Sequence, residues 1–353
     1  MGVIWSWAFG EEPIQTLKNL GWSFNYGTPS NNYEIDDTFT YSYAGEPPGR
    51  SSMRVRQDRA FNLPLGCPAQ GAISIAFKLT DILYNNDSRK LLTITVEGQV
   101  IQLQNKGTST MWLRVQDSTS PTFTVTGGVW HWLTIKYDVS SANDWKARCY
   151  IDGVAVTGEI TDVSGTPAGG DNNGLEFDGV AGETLLYGNQ CQTWVGAIVI
   201  HDSYTDASEV PRFVTRLQPT NLTGSTGTWT AVNAPSVLDA VTGSSVNSSS
   251  YAHNTAIIVG EHLNFEAGTN IDGALGCSAS YVDGVTMHFV ASGSGPFAQA
   301  QLSDNPSGSW ATGSNLMLTT DGASYGYASA ATRPQAGGAW SGSSDLYLKY
   351  EAS

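Results

Sequence analysis

The stretch from Val129 to Val156 constrains the fold of this chain more than any other. Val129, His131, Leu133, Ile135, Tyr137 and Val139 alternate with Trp130, Trp132, Thr134, Lys136 and Asp138. After a turn at Ser140 to Asp144, Trp145, Ala147, Cys149 and Ile151 alternate with Lys146, Arg148, Tyr150 and Asp152. Successive side chains of a strand point to opposite faces, so a period of two in adjoining segments predicts a half-buried antiparallel hairpin. Asp152-Gly153 then supplies the positive-φ pair of a type I′ turn into Val154-Ala155-Val156. Cys149 falls on the inward face and is predicted to be a buried thiol.

The same signal recurs upstream. Ile73, Ile75, Phe77 and Leu79 share one face, opposite Ser74, Ala76, Lys78 and Thr80. Leu92, Ile94 and Val96 lead through Glu97-Gly98 into a return strand with Val100, Ile101 and Leu103, and Met111, Leu113 and Val115 begin another. Only Glu11 to Leu20 and Asp206 to Leu217 read as helical, and both are short. Composition agrees: 14% of residues are charged, against about 25% in an average protein, and 39 are Gly. Helical surfaces need Glu and Lys, so the chain is predicted to be all-β, its amphipathic sheets packed as sandwiches.

Charge separates two parts. Of 17 basic residues only Arg333 and Lys349 lie beyond Arg216, and the boundary is predicted at about 205 to 215. In the second part Val285, Met287, Phe289 and Ala291 share a face, and Leu346, Leu348 and Tyr350 mark another strand, predicting a smaller β-sandwich. A formal charge of −15 has the wrong sign for a phosphate backbone or an anionic lipid surface, so neither nucleic acid nor membrane is an expected partner. The opening residues lack a basic segment followed by an apolar core, and no 18 apolar residues run together, so neither a secretion signal nor a membrane span is expected. Cys67, Cys149, Cys191 and Cys277 lie too far apart for zinc or redox motifs and are expected to be free thiols. The sequons at Asn86, Asn221 and Asn247 are read as chance.

Gly128-Val129-Trp130-His131-Trp132-Leu133-Thr134-Ile135-Lys136-Tyr137-Asp138, followed by Ala147-Arg148-Cys149-Tyr150-Ile151-Asp152-Gly153, resembles the central hairpin of laminin-G-like, concanavalin-A-like jelly rolls. That resemblance covers roughly residues 1–205 and implies a jelly roll there; with the strand pattern of the second part, the expected domains are a jelly roll at 1–208 and a C-terminal β-sandwich at 209–353. A second resemblance is narrower. Ile4-Trp5-Ser6-Trp7-Ala8-Phe9, the segment Gly196 to Asp202, and Pro211-Arg212-Phe213-Val214-Thr215-Arg216-Leu217-Gln218-Pro219-Thr220 look like structural proteins of tailed bacteriophages. Trp229 and Ser248-Ser249-Ser250-Tyr251 follow in the same order, although the Asp usual before the latter element is absent.

Glycoside hydrolysis needs two carboxylates, about 5 to 5.5 Å apart for retention. In the relevant concanavalin-like families the acids come from one strand as Glu-x-Asp-x-x-Glu; Glu34-Ile35-Asp36-Asp37 lacks the last acid of that pattern, and Glu176-Phe177-Asp178 with Glu183 has the wrong spacing, so both are read as solvated turn acids. His131, His201, His253, His262 and His288 lack metal spacing. His131 shares a face with Leu133 and Ile135 and is expected to be a hydrogen-bonded core histidine. A structural calcium at Asp171, Asp178 and Asp202 is the alternative to plain solvation of those rim acids. Tyr26, Tyr33, Tyr41 and Tyr43, set among Asn and Asp, form the expected contact surface for a neighbouring subunit or a glycan.

The phage resemblance implies a non-enzymatic virion structural protein, a tail, fibre or baseplate component or a capsid decoration. It would be made in the host cytoplasm and assembled with other virion proteins as a homo-oligomer, taken as a trimer. The alternatives are a carbohydrate-binding adhesin, which the first reading accommodates, and a glycan hydrolase or lyase.

Overall fold

The computed structural model describes residues 2–8, 17–18, 22–25, 33–36, 52–56, 60–63, 67–79, 89–96, 99–107, 110–141, 143–162, 174–178, 192–205, 217–242, 251–254, 261–267, 270–272, 282–292, 298–313, 316 and 324–352. The chain is all-β apart from short helical turns such as Val237–Val241. It divides into two compact units. The first holds Trp7–Lys18 and Trp22–Val214; the second holds Thr215–Ser353 together with Gly2–Ser6 and Asn19–Gly21. No helix among the described residues is long and apolar enough to cross a membrane.

The first unit is a two-sheet antiparallel sandwich. One sheet runs in the order Val154–Ala155, Trp145–Ile151, Trp130–Asp138, Gln70–Leu79, Gln192–His201, Ser52–Arg56, Tyr33–Asp36. The other runs Ser118–Thr119, Thr110–Val115, Gln99–Gly107, Arg89–Val96, Gly174–Asp178, Ala60–Asn62, Ser23–Asn25. The chain passes repeatedly between matching positions of the two. Gln70–Leu79 leads to Arg89–Val96, Ser52–Arg56 to Ala60–Asn62, and Gly174–Asp178 to Gln192–His201. This nesting of crossovers is the jelly-roll pattern that the central hairpin implies.

That hairpin forms in the predicted register, although Trp130–Asp138 is not half-buried, since Trp132, Thr134 and Lys136 on its second face are buried too. Leu133 pairs with Ile151, Ile135 with Cys149 and Tyr137 with Ala147, and all six are buried. Asp152 and Gly153 have φ of 52° and 81°, the left-handed pair that this turn requires. Val129 departs from the expected alternation: it precedes the strand and is exposed. Ile73, Ile75 and Phe77 in one sheet and Leu92, Leu103 and Leu113 in the other are all fully buried. Each such side chain contributes about 1.5–3 kcal/mol on burial.

The second unit has a five-stranded sheet in the order Asn221–Ser225, His262–Glu266, Tyr347–Ala352, Ala298–Ser303, Ala311–Thr312. Two ribbons accompany it, Trp229–Val232 with Tyr251–Asn254 and Val285–Ala291 with Ser324–Ala330. Leu263, Phe265, Leu302, Leu348, Ala328 and Trp340 form its core, against which Val285, Met287 and Phe289 pack. The chain's first residues complete this unit. Trp5 is fully buried and donates its indole N–H to the Tyr325 hydroxyl at 3.1 Å, and Tyr325 lies 2.7 Å from His288 Nδ1. His288 Nε2 donates to the Ser6 carbonyl at 2.8 Å, so both ring nitrogens are engaged. The helix Val237–Val241 falls where the sequence reads as turns; Ser236 caps it, its hydroxyl accepting from Asp239 N at 3.1 Å.

Cys67 and Cys149 are free and buried, while Cys191 and Cys277 lie outside the described residues. Burial pushes the Cys67 thiol from 9.0 up to about 12, with the neighbouring Tyr137 hydroxyl offsetting part of the rise. Burial raises Cys149 and Tyr137 as well. The folded state therefore keeps protons that the unfolded chain loses above pH 9, so stability from these groups is complete below pH 9 and declines above it. Denaturant unfolding at pH 8 and pH 10.5 is expected to show a drop of about 1.4 kcal/mol per pH unit per thiol, and Cys149→Ala is expected to flatten that slope. An unchanged slope would place the alkaline loss elsewhere.

Candidate functional site

The sheet containing Gln99–Gly107 has a second face, directed away from the sandwich core, that is polar in register. Packing Leu92, Leu103 and Leu113 against one another turns Thr93, Gln102 and Arg114 to the opposite side. Pairing continues this row through Glu176 and Asn62 to Ser23, one polar residue from each of six consecutive strands. Five inter-strand steps of about 4.8 Å make the row about 24 Å long. A second row beside it brings Lys90 opposite Gln104 and Gln104 opposite Trp112.

The middle of this face is withdrawn from solvent although it lies off the core. Thr93 is 6% exposed, Gln102 5% and Gln104 2%, while Arg114, Glu176 and Asn62 around them are partly exposed. The amides are held in fixed orientations. Trp112 Nε1 donates to Gln104 Oε1 at 2.9 Å, and Gln104 Nε2 donates to Gln102 Oε1 at 2.7 Å. Lys106 Nζ sits 4.5 Å from the Trp112 ring centroid, a cation–π contact that fixes the indole from one side. At one end Arg114 Nε donates to the Gln116 carbonyl at 2.5 Å, with Asp117 3.6 Å from its guanidinium. At the other, Asn62 Nδ2 donates to Ser23 Oγ at 3.2 Å. Thr93 Oγ1, in the floor between Gln102 and Glu176, has no hydrogen-bond partner among the described residues. A buried hydroxyl left so costs about 1–3 kcal/mol.

The side chains that the sequence singled out are placed differently. Tyr26, Tyr41 and Tyr43 lie outside the described residues, and Tyr33 is described only as the strand position opposite Val55. Asp171 and Glu183 also lie outside. Asp178 stands on the strand Gly174–Asp178, and Asp202 follows the strand Gln192–His201, partly buried. Among the described residues, Glu176 is the one of these acids that joins the polar row. No three His, Cys, Asp or Glu residues converge as a metal site among the described residues.

His131 is a core residue, as its inward position implied. Asp152 Oδ2 lies 2.7 Å from Nδ1 and the Thr126 carbonyl 2.9 Å from Nε2, while Asp152 Oδ1 accepts from Trp132 N at 2.8 Å. The ring thus ties the hairpin turn to the strand's entry and holds no exposed reactive nitrogen. Sequence reasoning missed Asn62, Thr93, Gln102, Gln104, Trp112 and Arg114. Gln102 and Gln104, alternating with Ile101 and Leu103, were the signal that was present.

Against this geometry stand the comparisons with known proteins. No protein-family model matches the sequence, and no curated protein matches it. Solved structures give partial likenesses. The endo-β-1,4-glucuronan lyase of Trichoderma reesei is 15% identical with a TM-score of 0.39, over 59% of this chain and 98% of that one. The conserved carbohydrate esterase of the Shiga toxin-encoding bacteriophage phi24B is 15% identical with a TM-score of 0.37, over 57% and 98%. LamA from Z. galactanivorans, solved with laminaritriose and laminaritetraose, is 11% identical with a TM-score of 0.35, over 57% and 98%. Likenesses of this degree fix neither an activity nor a ligand for this chain.

His131→Leu is expected to strand the Asp152 carboxylate and the Thr126 carbonyl, lowering unfolding free energy by about 2 to 4 kcal/mol in urea titrations. A loss below 0.5 kcal/mol, on the order of an ordinary surface substitution, would remove His131 from the hairpin's supports.

Proposed function

We propose that the first unit is a carbohydrate-binding module whose polar sheet face holds an extended glycan along the row from Arg114 to Ser23. The observation that carries this reading is the alignment of six polar side chains in register, over a floor of buried, mutually bonded amides. Sugar hydroxyls both donate and accept, and amides, hydroxyls, a guanidinium and a carboxylate together supply both functions at fixed positions. Orientation fixed before binding lowers the entropy lost on association. A subunit interface is the competing use of such a face. Interface centres are depleted of Glu and Asp and rich in apolar area, whereas this row has Glu176 within it and no apolar side chain.

Electrophoresis through gels cast with a panel of soluble polysaccharides tests the reading. Retardation is expected on at least one of them, and Gln102→Ala and Trp112→Ala are each expected to weaken it about tenfold, the effect of about 1.4 kcal/mol of lost contact. The module is taken to bind without turnover, so the same panel should release no reducing ends; release abolished by Glu176→Gln would instead favour the hydrolase or lyase alternative. Retardation unaffected by both substitutions would overturn the assignment of this face.

The segments resembling tailed-phage structural proteins favour a setting for this binding. In that setting the chain is a particle component, a homo-oligomer among other virion proteins, that holds glycan of the host surface. Gold labelling of particles from the source is expected to mark the tail, where adsorption takes place. Label over the head would make the chain a capsid decoration, and unlabelled particles would end the virion reading.

A further inference from the structure

The five-stranded sheet of the second unit has an outward face of its own. Leu263 and Phe265, Leu348 and Tyr350, and Ala300 and Leu302 point to the core or pack against it, which turns Asn264, Lys349 and Gln301 to the other side. Pairing aligns them in one row, Gly224, Asn264, Lys349, Gln301 and Thr312, one residue from each strand. Flanking rows bring His262, Glu351 and Gln299 together on one side and Glu266, Tyr347 and Ser303 on the other.

The chemistry repeats that of the first unit in an unrelated sheet. Two glutamines two residues apart are bonded amide to amide, Gln301 Nε2 donating to Gln299 Oε1 at 3.0 Å. Gln299 is anchored in turn, its Nε2 donating to the Gly313 carbonyl at 2.9 Å. A lysine again lies over an indole, with Lys349 Nζ 4.9 Å from the Trp310 ring centroid. Gln301 is 5% exposed although it faces away from the core. Asn264 Oδ1 is buried with no hydrogen-bond partner among the described residues, so the face holds an acceptor that the protein itself leaves unsatisfied.

Charge separates this face from the first. Lys349 Nζ is 2.6 Å from Glu351 Oε2, and the two side chains are only 15% and 25% exposed. A pair so close and so withdrawn presents a donor beside an acceptor with no net charge, which suits neighbouring hydroxyls and not an anionic group. We propose that this outward face is a second carbohydrate-binding face, which takes a neutral, hydroxyl-rich glycan at Asn264, Lys349 and Gln301 with Trp310 at its edge. The inference goes beyond the binding face of the first unit and does not require it. If both faces work, one chain engages glycan at two places, and its retention on a polymer exceeds that of either face alone.

Electrophoresis of the full chain through laminarin, xylan and dextran gels, with alginate as the acidic comparison, tests the proposal. The Gln102→Ala, Trp112→Ala double variant removes the first face's contribution and is expected to stay retarded on at least one neutral polymer. Adding Lys349→Met or Asn264→Leu is expected to weaken that residual retardation about tenfold or more. Asn264→Leu guards against misfolding, because it removes an unsatisfied buried acceptor and should leave the thermal midpoint no lower. Residual retardation that survives both changes, or that appears on alginate alone, overturns the proposal. So does its complete loss in the first-face double variant, which leaves the first face standing. The reverse result, in which the second-face changes abolish binding and the first-face changes do not, supports this proposal and overturns the first assignment.

Discussion

The register between Arg89–Val96, Gln99–Gly107 and Thr110–Val115 is the constraint on which the rest of the first unit depends. Side chains of a strand alternate strictly, so the pairing that sets Leu92, Leu103 and Leu113 side by side in the core also sets Thr93, Gln102 and Arg114 side by side on the far face. A slip of one residue would exchange the two sets, burying charge in the core and exposing leucine. The apolar contacts that stabilise the sandwich therefore also fix the polar row. The same coupling operates in the second unit, where Leu348 and Leu302 meet on one side of the sheet while Lys349 and Gln301 meet on the other.

Both polar faces carry amides that are withdrawn from water, Gln102 and Gln301 at 5% exposed and Gln104 at 2%. Buried amides need protein partners, and Gln104 is bonded to Gln102 and to Trp112, and Gln301 to Gln299. The unsatisfied Thr93 Oγ1 and Asn264 Oδ1 lie among them. Rigid amides beside unsatisfied oxygens are the condition expected of a surface prepared for a polar ligand. His131 and His288 are of another kind, since each has both ring nitrogens engaged and serves to hold strands or turns in place.

Much of the architecture was legible because it is local. The hairpin from Trp130 to Ile151, its Asp152-Gly153 turn, the buried Cys149 and the core position of His131 all follow from a period of two and one turn signal. The helix Val237–Val241 was missed, although Ser236 and Asp239 stand at capping spacing, because the surrounding Pro, Ser and Asn read as turns. Glu176, read as a solvated turn acid, stands instead on the strand Gly174–Asp178 between Thr93 and Asn62, because cross-strand pairing has no signal in the local sequence. The contribution of Trp5 and Ser6 to the second unit has no signal in the sequence, since their partners Tyr325 and His288 lie about 280 to 320 residues away.

The amino-acid sequence alone determined that this chain is almost entirely β and which side chains share one face of each strand, because alternation is a property of neighbouring residues. Only the tertiary structure decided which strands lie next to one another. Asn62, Thr93, Gln102, Arg114 and Glu176 come from five strands spread over more than 100 residues, and each is an ordinary polar position on its own strand. Hydrogen-bonded pairing across the sheet places them in one row, and that pairing is set by packing the opposite faces into the core.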